Sequence, residues 1–487
     1  MEGQTNKLSL RDPAGSLFEI DGKLIRLVNR DSLAHLNASL ESPTFVAFQE
    51  SGRLAGTRVV PREESEKYIG RLSKFGFEAE EVGKVLEHQK IDFPSFPYEW
   101  SPGMLHAAGE LTVELAQKLL PEGMGIKDAT PFNVLFDGPR PVFVDVLSLE
   151  KRVKGDPQWI PFAQFTRTFL NPLLLNKFFN IPLSMVFLSR REGVDANEIY
   201  GMLGFWKRWQ QPFFSLVSVP VFLNRLLSKK KKARTDVQIL SPEKARFILN
   251  SLFRHLNRLL KDVKPRVNLK SRWTRYMGET LPYDDKQFLT KETFVESVLK
   301  EHRPGRVLDV GCNTGHFSRL AAQLGSSVVA LDVDPLVVDE NWRVAKAKNL
   351  NILPLVVNLA SPSPAVGWQN SETKSFLARS KGHFDLVMML AVLHHLNLDE
   401  GLPVTEILAT AAEMTRDLAL IEFVGADDIS VKDLVNQRRP KEILTEAQFE
   451  AKAGFYFDII RRQRVPDSDR VLYLLKKKSA IQSFLSN

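Results

Sequence analysis

With 487 residues, 44% of them hydrophobic and 25% charged, and a formal net charge of +8, the chain has the make-up of a folded globular protein, too long for one ordinary core, so two or three domains are expected. Its single cysteine, Cys312, excludes an intramolecular disulfide framework and fits a reducing compartment. The start, Met1 to Arg11, lacks the basic and apolar segments of a signal peptide, and no uninterrupted apolar run is long enough to span a bilayer, so a cytoplasmic location is expected.

From the N-terminus, Gly15 to Val28 alternates as a hairpin does, with Asp21-Gly22 at the turn. Pro97-Tyr98-Glu99-Trp100 precedes a helical stretch in which Leu111, Leu115, Leu119 and Leu120 recur at helical spacing. Next come Asp128, then Asn133 five residues on, then Asp145 a further 12 residues on at the end of the apolar run Pro141-Val142-Phe143-Val144. That spacing resembles the catalytic loop and metal-binding aspartate of protein-kinase-like and aminoglycoside-phosphotransferase-like folds, where the first Asp orients an acceptor hydroxyl and the Asn and second Asp hold Mg²⁺. The surroundings depart from the pattern. No His or Arg precedes Asp128, no Gly follows Asp145 at the expected distance, and upstream there is no glycine-rich phosphate loop and only Arg58 as a basic residue on an apolar run. Residues 1–150 are therefore expected to form an α+β domain on a degenerate kinase-like scaffold, with Asp128 and Asn133 making turn and cap hydrogen bonds.

Residues 151–275 carry 25 Lys plus Arg against 7 Asp plus Glu, a local charge of +18, which leaves −10 for the rest of the chain. The segment includes Lys229-Lys230-Lys231-Lys232-Ala233-Arg234 and many aromatics, among them Phe165, Phe169, Phe178, Trp206, Trp209 and Phe213. It is expected to be helical and to pack with the N-terminal domain. Its aromatics read either as core, with the lysines on a solvated loop, or as part of a peripheral contact with an anionic membrane surface. No recognisable nucleic-acid module accompanies the charge, so nucleic acid is not an expected partner. Between about 265 and 290, Trp273, Tyr276 and Tyr283 stand in a polar connection suited to a lid.

The stretch Arg306 to Ser318 organises the C-terminal part of the chain: an apolar strand ending in Asp309-Val310, a loop with Gly311 and Gly315, then Phe317, Leu320, Ala321 and Leu324 at helical spacing. Glycines at 311 and 315 let backbone approach a ligand, and Asn313 between them tolerates a left-handed conformation. The spacing Asp-x-Gly-x-Asn-x-Gly fits neither the dinucleotide fingerprint nor a P-loop. It resembles the first motif of class I S-adenosylmethionine-dependent methyltransferases. Ser327 to Asp332 forms a second strand, whose terminal acid stands where a carboxylate accepts the ribose hydroxyls. Further strands are expected at Ile352 to Asn358, Phe384 to Leu390, Leu418 to Phe423 and Val471 to Leu475. Asn358 stands where this family often places an acid near the adenine amine, and Ala391 to Leu396 looks like its post-strand segment. Strands alternating with helical stretches imply a Rossmann-like, doubly wound parallel sheet over residues 285–475, with ligands at the carboxyl ends of its strands.

Other motifs extend the likeness: Gln164-Phe165, Phe169-Leu170-Asn171-Pro172-Leu173, Ser363-Pro364-Ala365-Val366-Gly367-Trp368, His394-His395-Leu396 and Ile421-Glu422-Phe423-Val424. In this order they resemble a bacterial family of two-part class I methyltransferases that includes host-specific nodulation proteins. The resemblance implies S-adenosylmethionine as cofactor, held by Asp309, Gly311, Asn313, Gly315, Asp332 and Asn358, with no metal. It implies methyl transfer and little about the acceptor, for which a lipid-linked or glycan small molecule is the expectation. Among His394, His395, Glu422 and Asp427, which stand beyond strands four and five, His395 and Glu422 are the candidate catalytic residues. Two alternatives are a bifunctional protein with a Mg-ATP-dependent N-terminal kinase and a regulatory protein that binds the cofactor without turnover.

Overall fold

The computed structural model describes residues 5–8, 12–76, 79–228, 239–266, 285–438 and 443–479. The chain divides into two compact units, the first comprising Met1–Tyr98, Pro102–Val267 and Gly367–Glu372, the second Glu99–Ser101, Asn268–Val366 and Thr373–Asn487. The lysine run from 229 and the proposed lid residues Trp273, Tyr276 and Tyr283 lie outside the described residues.

In the first unit, β1 (Thr5–Lys7), β2 (Gly15–Ile20), β3 (Lys23–Asn29), β4 (Thr57–Val59) and β5 (Val82–His88) form a sheet in the order β1-β2-β3-β5-β4. Asp21 and Gly22, with φ of +50° and +82°, form the two-residue turn between β2 and β3, both central residues being left-handed as the strand twist requires. The inward-facing Phe18, Ile20, Ile25, Leu27 and Val85 pack with Val60 and Leu72. The helix Pro102–Leu119 follows, burying Leu111, Leu115 and Leu119. Four short strands then make two antiparallel ribbons: β6 (Met124–Ile126) pairs with β9 (Leu149–Lys151), and β7 (Val134–Asp137) with β8 (Arg140–Phe143). From 162 to 263 the described chain is helical, ending in the amphipathic helix Pro242–Val263.

The second unit is built on a seven-stranded sheet. Its strands are β10 (Arg306–Val310), β11 (Ser327–Asp332), β12 (Ile352–Val356), β13 (Phe384–Met389), β14 (Thr415–Val424), β15 (Phe457–Arg464) and β16 (Arg470–Lys477), in the order β12-β11-β10-β13-β14-β16-β15. The first five run parallel, as expected of strands joined through helices. The expectation of a wholly parallel sheet needs correction. β16 pairs antiparallel with both β14 and β15, because only the short turn 465–469 separates β15 from β16 and a tight connection reverses the chain. β15 itself escapes the sequence reading. Its FDIIRRQR stretch has one buried residue, Phe457, and Arg462 and Arg464 are exposed, as on an edge strand guarded against further pairing, while Arg461 lies over the Phe294 ring at 5.2 Å. The central strands are buried on both faces, so they read as continuous apolar runs.

Strand order reverses at β10, whose chain continues to β11 on one side while β13 lies on the other. In an open α/β sheet, a crevice opens beyond the carboxyl ends of the strands at such a switch point.

Candidate active site

A cleft lies at that switch point. Among the residues lining it are Asp309, Gly311 and Asn313 after β10, Asp332 at the end of β11, Asn358 after β12, and Leu390, Ala391 and His395 after β13. Gly311 (φ +72°) and Asn313 (φ +48°) turn the chain back on itself. Asn313 N–H donates to Asp332 Oδ2 at 2.9 Å, and Asp334 N–H to Asp332 Oδ1 at 3.0 Å, so the β10 loop sets the carboxylate of the neighbouring strand. Gly311 allows little else: a Cβ there would meet Val392 at 3.0 Å. Ala391 also holds a positive φ, +57°, a conformation that costs a residue with a Cβ about 1–2 kcal/mol and here shapes the cleft wall.

Gly315 is placed differently from the expectation. It is absent from the cleft lining, and a Cβ on it would collide with the side chain of Asn341, 2.1 Å from Oδ1. Packing against Asn341, beneath the helix His316–Gln323, by itself demands a glycine there. Cys312 is buried and free, with Asn341 Nδ2 donating to its Sγ at 3.7 Å. Burial drives its thiol pKa well up, which keeps it protonated and opposes a nucleophilic role.

Two acids face the same space. Asp309 is 2% exposed and accepts from Ser318 Oγ at 2.5 Å; burial raises its pKa to about 6 against the lowering effect of that bond. Asp332 is likewise raised to about 6, burial being the main cause and the two backbone N–H groups opposing it. Lys291, in the same lining, lowers the Asp309 pKa without offsetting burial, so two buried carboxylates facing one cleft suit a ligand that carries positive charge and hydrogen-bond donors. Apolar Val333, Val357, Leu359 and Leu390 line the remainder, a surface suited to a flat heterocycle.

After β13, His395 Nδ1 lies 2.8 Å from Asp399 Oδ2, and both residues line the cleft. With Nδ1–H held by the carboxylate, the lone pair sits on Nε2. His394 lies outside the lining, with its ring 4.3 Å from that of His395; burial holds its pKa well below the ordinary value, so it stays neutral. Of the remaining candidates, Asp427 is 87% exposed and pairs with Lys432 at 3.1 Å.

Glu422, on β14, is fully buried and is not part of the lining. It pairs with Lys291 Nζ at 2.6 Å and with Arg470 Nη1 at 3.2 Å, and Arg470 in turn grips Asp428 through Nε at 2.7 Å and Nη2 at 2.9 Å. Sequence reasoning missed Lys291. It stands on the helix Asp285–His302, whose first turns carry Phe288 and Lys291 into the cleft. Only the i, i+3 spacing of these two residues hinted at a shared face, and that spacing is common to any amphipathic helix. Asp399 was missed for a similar reason: its partnership with His395 across one turn is visible once the segment 395–399 is known to be helical.

The first unit holds a separate cleft that gathers Asp128, Asn133 and Asp145, together with Asp12, Arg26 and His88. Asn133 Nδ2 donates to the Asp128 carbonyl at 3.2 Å. Arg26 Nη1 lies 2.7 Å from Asp12 Oδ2 and 3.6 Å from Asp145 Oδ1. Burial raises the Asp145 pKa while Arg26 opposes the rise. His88 donates or accepts at Nδ1 with Thr57 Oγ1, 2.8 Å away, and burial depresses its pKa to about 3. Among the described residues, no three His, Cys, Asp or Glu side chains converge as metal ligands.

Residues 283–449 match a family model described as a methyltransferase domain. Over 477 residues the chain is 28% identical to the nodulation protein NoeA of Rhizobium meliloti (strain 1021), a match spanning 96% of this chain and 95% of that one. Similar solved structures include the magnesium protoporphyrin IX methyltransferase of Synechocystis PCC 6803 with bound SAH, at 20% identity and a TM-score of 0.32, covering 42% of this chain and 93% of that one. Another is the N-methyltransferase NodS of Bradyrhizobium japonicum WM9, at 15% identity and a TM-score of 0.30, covering 40% of this chain and 99% of that one.

Proposed function

We propose that residues 283–449, which match a methyltransferase domain, form a class I domain whose switch-point cleft holds S-adenosylmethionine and delivers its methyl group to a glycan or lipid-linked small molecule. The observation that carries the site assignment is the pair Asp309 and Asp332: two buried, weakly compensated carboxylates in one cleft, matched to a ligand bearing a sulfonium, an ammonium and a ribose diol. The residues present fit the cofactor in kind. Asp332 would accept from the ribose hydroxyls, Asn358 would meet the adenine amine, Asp309 and Gly311 would face the ammonium end, and Lys291 would meet the carboxylate.

The bound cofactor supplies an already activated electrophile, so the protein's task is alignment, exclusion of water and removal of an acceptor proton. We assign the last of these to His395. Asp399 accepts its Nδ1–H, which makes Nε2 the basic nitrogen that would take a proton from an acceptor hydroxyl or amine, and stabilises the imidazolium that results. Glu422 acts at one remove. Buried between Lys291 and Arg470, it sets the position of the Lys291 ammonium and is a positioning residue.

The first unit we read as a kinase-like scaffold used for acceptor recognition. Arg26 beside Asp145, and the bond from Asn133 to the Asp128 carbonyl, support a polar, hydrogen-bonding cleft over a phosphotransfer centre.

Calorimetric titration with S-adenosylmethionine and S-adenosylhomocysteine, on the wild type and on Asp332→Ala, tests the cofactor site. Incubation with radiolabelled donor and bacterial lipid and glycan extracts tests the acceptor. Label in neither fraction, despite donor binding, would remove the proposed acceptor class.

A further inference from the structure

The helical part of the first unit leaves a group of large apolar side chains in solvent. Phe205, Trp206 and Trp209 are 64, 77 and 56% exposed, and Met202, Leu223 and Leu226 are each at least half exposed. Scattered single exposures are ordinary; these are joined. The Trp209 ring lies 5.9 Å from Phe214 and 6.2 Å from Phe222, Phe222 lies 6.0 Å from Tyr200, and Phe205 stands against Trp206 at 5.4 Å. The helices Ala196–Met202 and Val219–Ser228 and the turns Trp206–Trp209 and Phe214–Ser218 thus form one packed cluster with an aromatic rim.

Charge decides what such a rim meets. Over residues 196–228, which span the cluster, the one acidic residue is Glu198, ion-paired with Arg190, against Lys207, Arg208 and Arg225. Lys207 stands between the two exposed tryptophans and Arg225 between Leu223 and Leu226, so cations alternate with apolar side chains on the same cluster. Lys207 and Arg208 lie over the faces of Phe179 and Tyr200 at 5.2 and 4.1 Å, which leaves their charge at the level of the aromatics. A protein partner's apolar face would leave these cations unmatched. The interface of an anionic bilayer satisfies both features at once, since indole rings settle at headgroup depth beside the acyl boundary while Lys and Arg meet lipid phosphates.

We propose that this cluster, centred on Trp206 and Trp209, docks the protein reversibly on an anionic membrane surface. No helix among the described residues is long and apolar enough to cross a membrane, so attachment is by shallow insertion of side chains. The inference is independent of the methyl-donor site and would stand if that assignment failed.

The test is co-sedimentation of the full chain with phosphatidylcholine vesicles, with and without phosphatidylglycerol, at low and high salt. The expected result is binding to the anionic vesicles alone, weakened by salt. In Trp206→Ser/Trp209→Ser, binding should fall by on the order of tenfold or more, with methyl-donor affinity unchanged and the fold retained, the lost packing of Trp209 on Phe214 and Phe222 lowering the unfolding temperature only modestly because that side chain is 56% exposed. Lys207→Glu/Arg225→Glu should weaken it by about tenfold or more. Absence of binding to anionic vesicles at low salt, or binding undiminished in the double tryptophan variant, would overturn the proposal. So would a wild-type dimer that the tryptophan substitutions render monomeric, since the rim would then be a contact between copies of this chain.

Discussion

Lys291 Nζ lies 2.6 Å from Glu422 Oε2, with the two side chains 5% and 0% exposed, and joins the helix Asp285–His302 to the fifth parallel strand of the sheet. Burial lowers the Lys291 pKa and Glu422 opposes the fall, so the ammonium depends on its partner to stay charged. Arg470 and Asp428 extend the same chain of charges to β16 and to the loop after β14. A lysine held in this way presents its charge to the cleft at a fixed place.

Cutting that pair from one side leaves a buried charge without its partner. Glu422→Gln and Lys291→Met should each destabilise the fold by about 3–5 kcal/mol, and the double variant by less than the sum. Denaturant unfolding of the four proteins measures this. Strict additivity would mean that the two side chains are not coupled.

Donor binding should depend on the acids of the cleft. In Asp332→Asn the carboxylate is gone while the backbone N–H groups keep an acceptor in place, and S-adenosylmethionine and S-adenosylhomocysteine affinities should both fall, by about 2–3 kcal/mol or some thirtyfold or more. Calorimetry checks it; equal affinity for wild type and variant would move the ribose elsewhere.

The pKa values of Asp309 and Asp332, both raised to about 6, make donor binding pH-dependent. As pH falls through 6, the folded protein takes up protons that the unfolded chain, with carboxyls near 3.8, does not. These two groups therefore penalise folding above pH 6, and the penalty is relieved between 6 and about 4. The ribose diol and the ammonium need the ionised acids, so donor affinity should move the opposite way and weaken below pH 6. The thioether product, which carries the same two groups, should weaken alongside it. Titrations from pH 5 to 8 should show the common fall, and an S-adenosylmethionine affinity flat across that range would contradict the role given to the two acids.

Gly315→Ala should be severe without any direct effect on the ligand. A left-handed φ of +83° costs about 1–2 kcal/mol with a Cβ present, and the overlap with Asn341 adds about 1–3 kcal/mol. Adding Asn341→Gly should recover the second part and leave the first. Thermal unfolding of the single and double variants separates the two contributions; no recovery would mean that the strain lies wholly in the backbone.

His395→Asn and Asp399→Asn are expected to keep donor affinity and to lower kcat, by about 10²–10⁴-fold for the histidine and less for the aspartate. A variant with full turnover would leave an acceptor that loses no proton at the reacting atom, or a different base.

Much of the switch-point cleft was legible in the chain because it is local. A strand, a glycine turn and a helix occupy consecutive residues from Arg306 to Gln323, and strands such as Ser327 to Asp332 bear apolar runs ending in an acid, so backbone sterics and hydrophobic pattern together place Asp309, Gly311, Asn313 and Asp332. Features that depend on residues far apart in sequence were decided only by tertiary structure. The pairing of Glu422 with Lys291, 131 positions earlier, buries a carboxylate that sequence position alone makes look available. The contact between Gly315 and Asn341 adds a packing demand for glycine that the motif does not show, and the short turn before Arg470 turns the last strands antiparallel. Local pattern follows from backbone and hydrophobic periodicity within one element; burial, ion pairing and strand order are set by which elements meet, and that is a property of the whole folded chain.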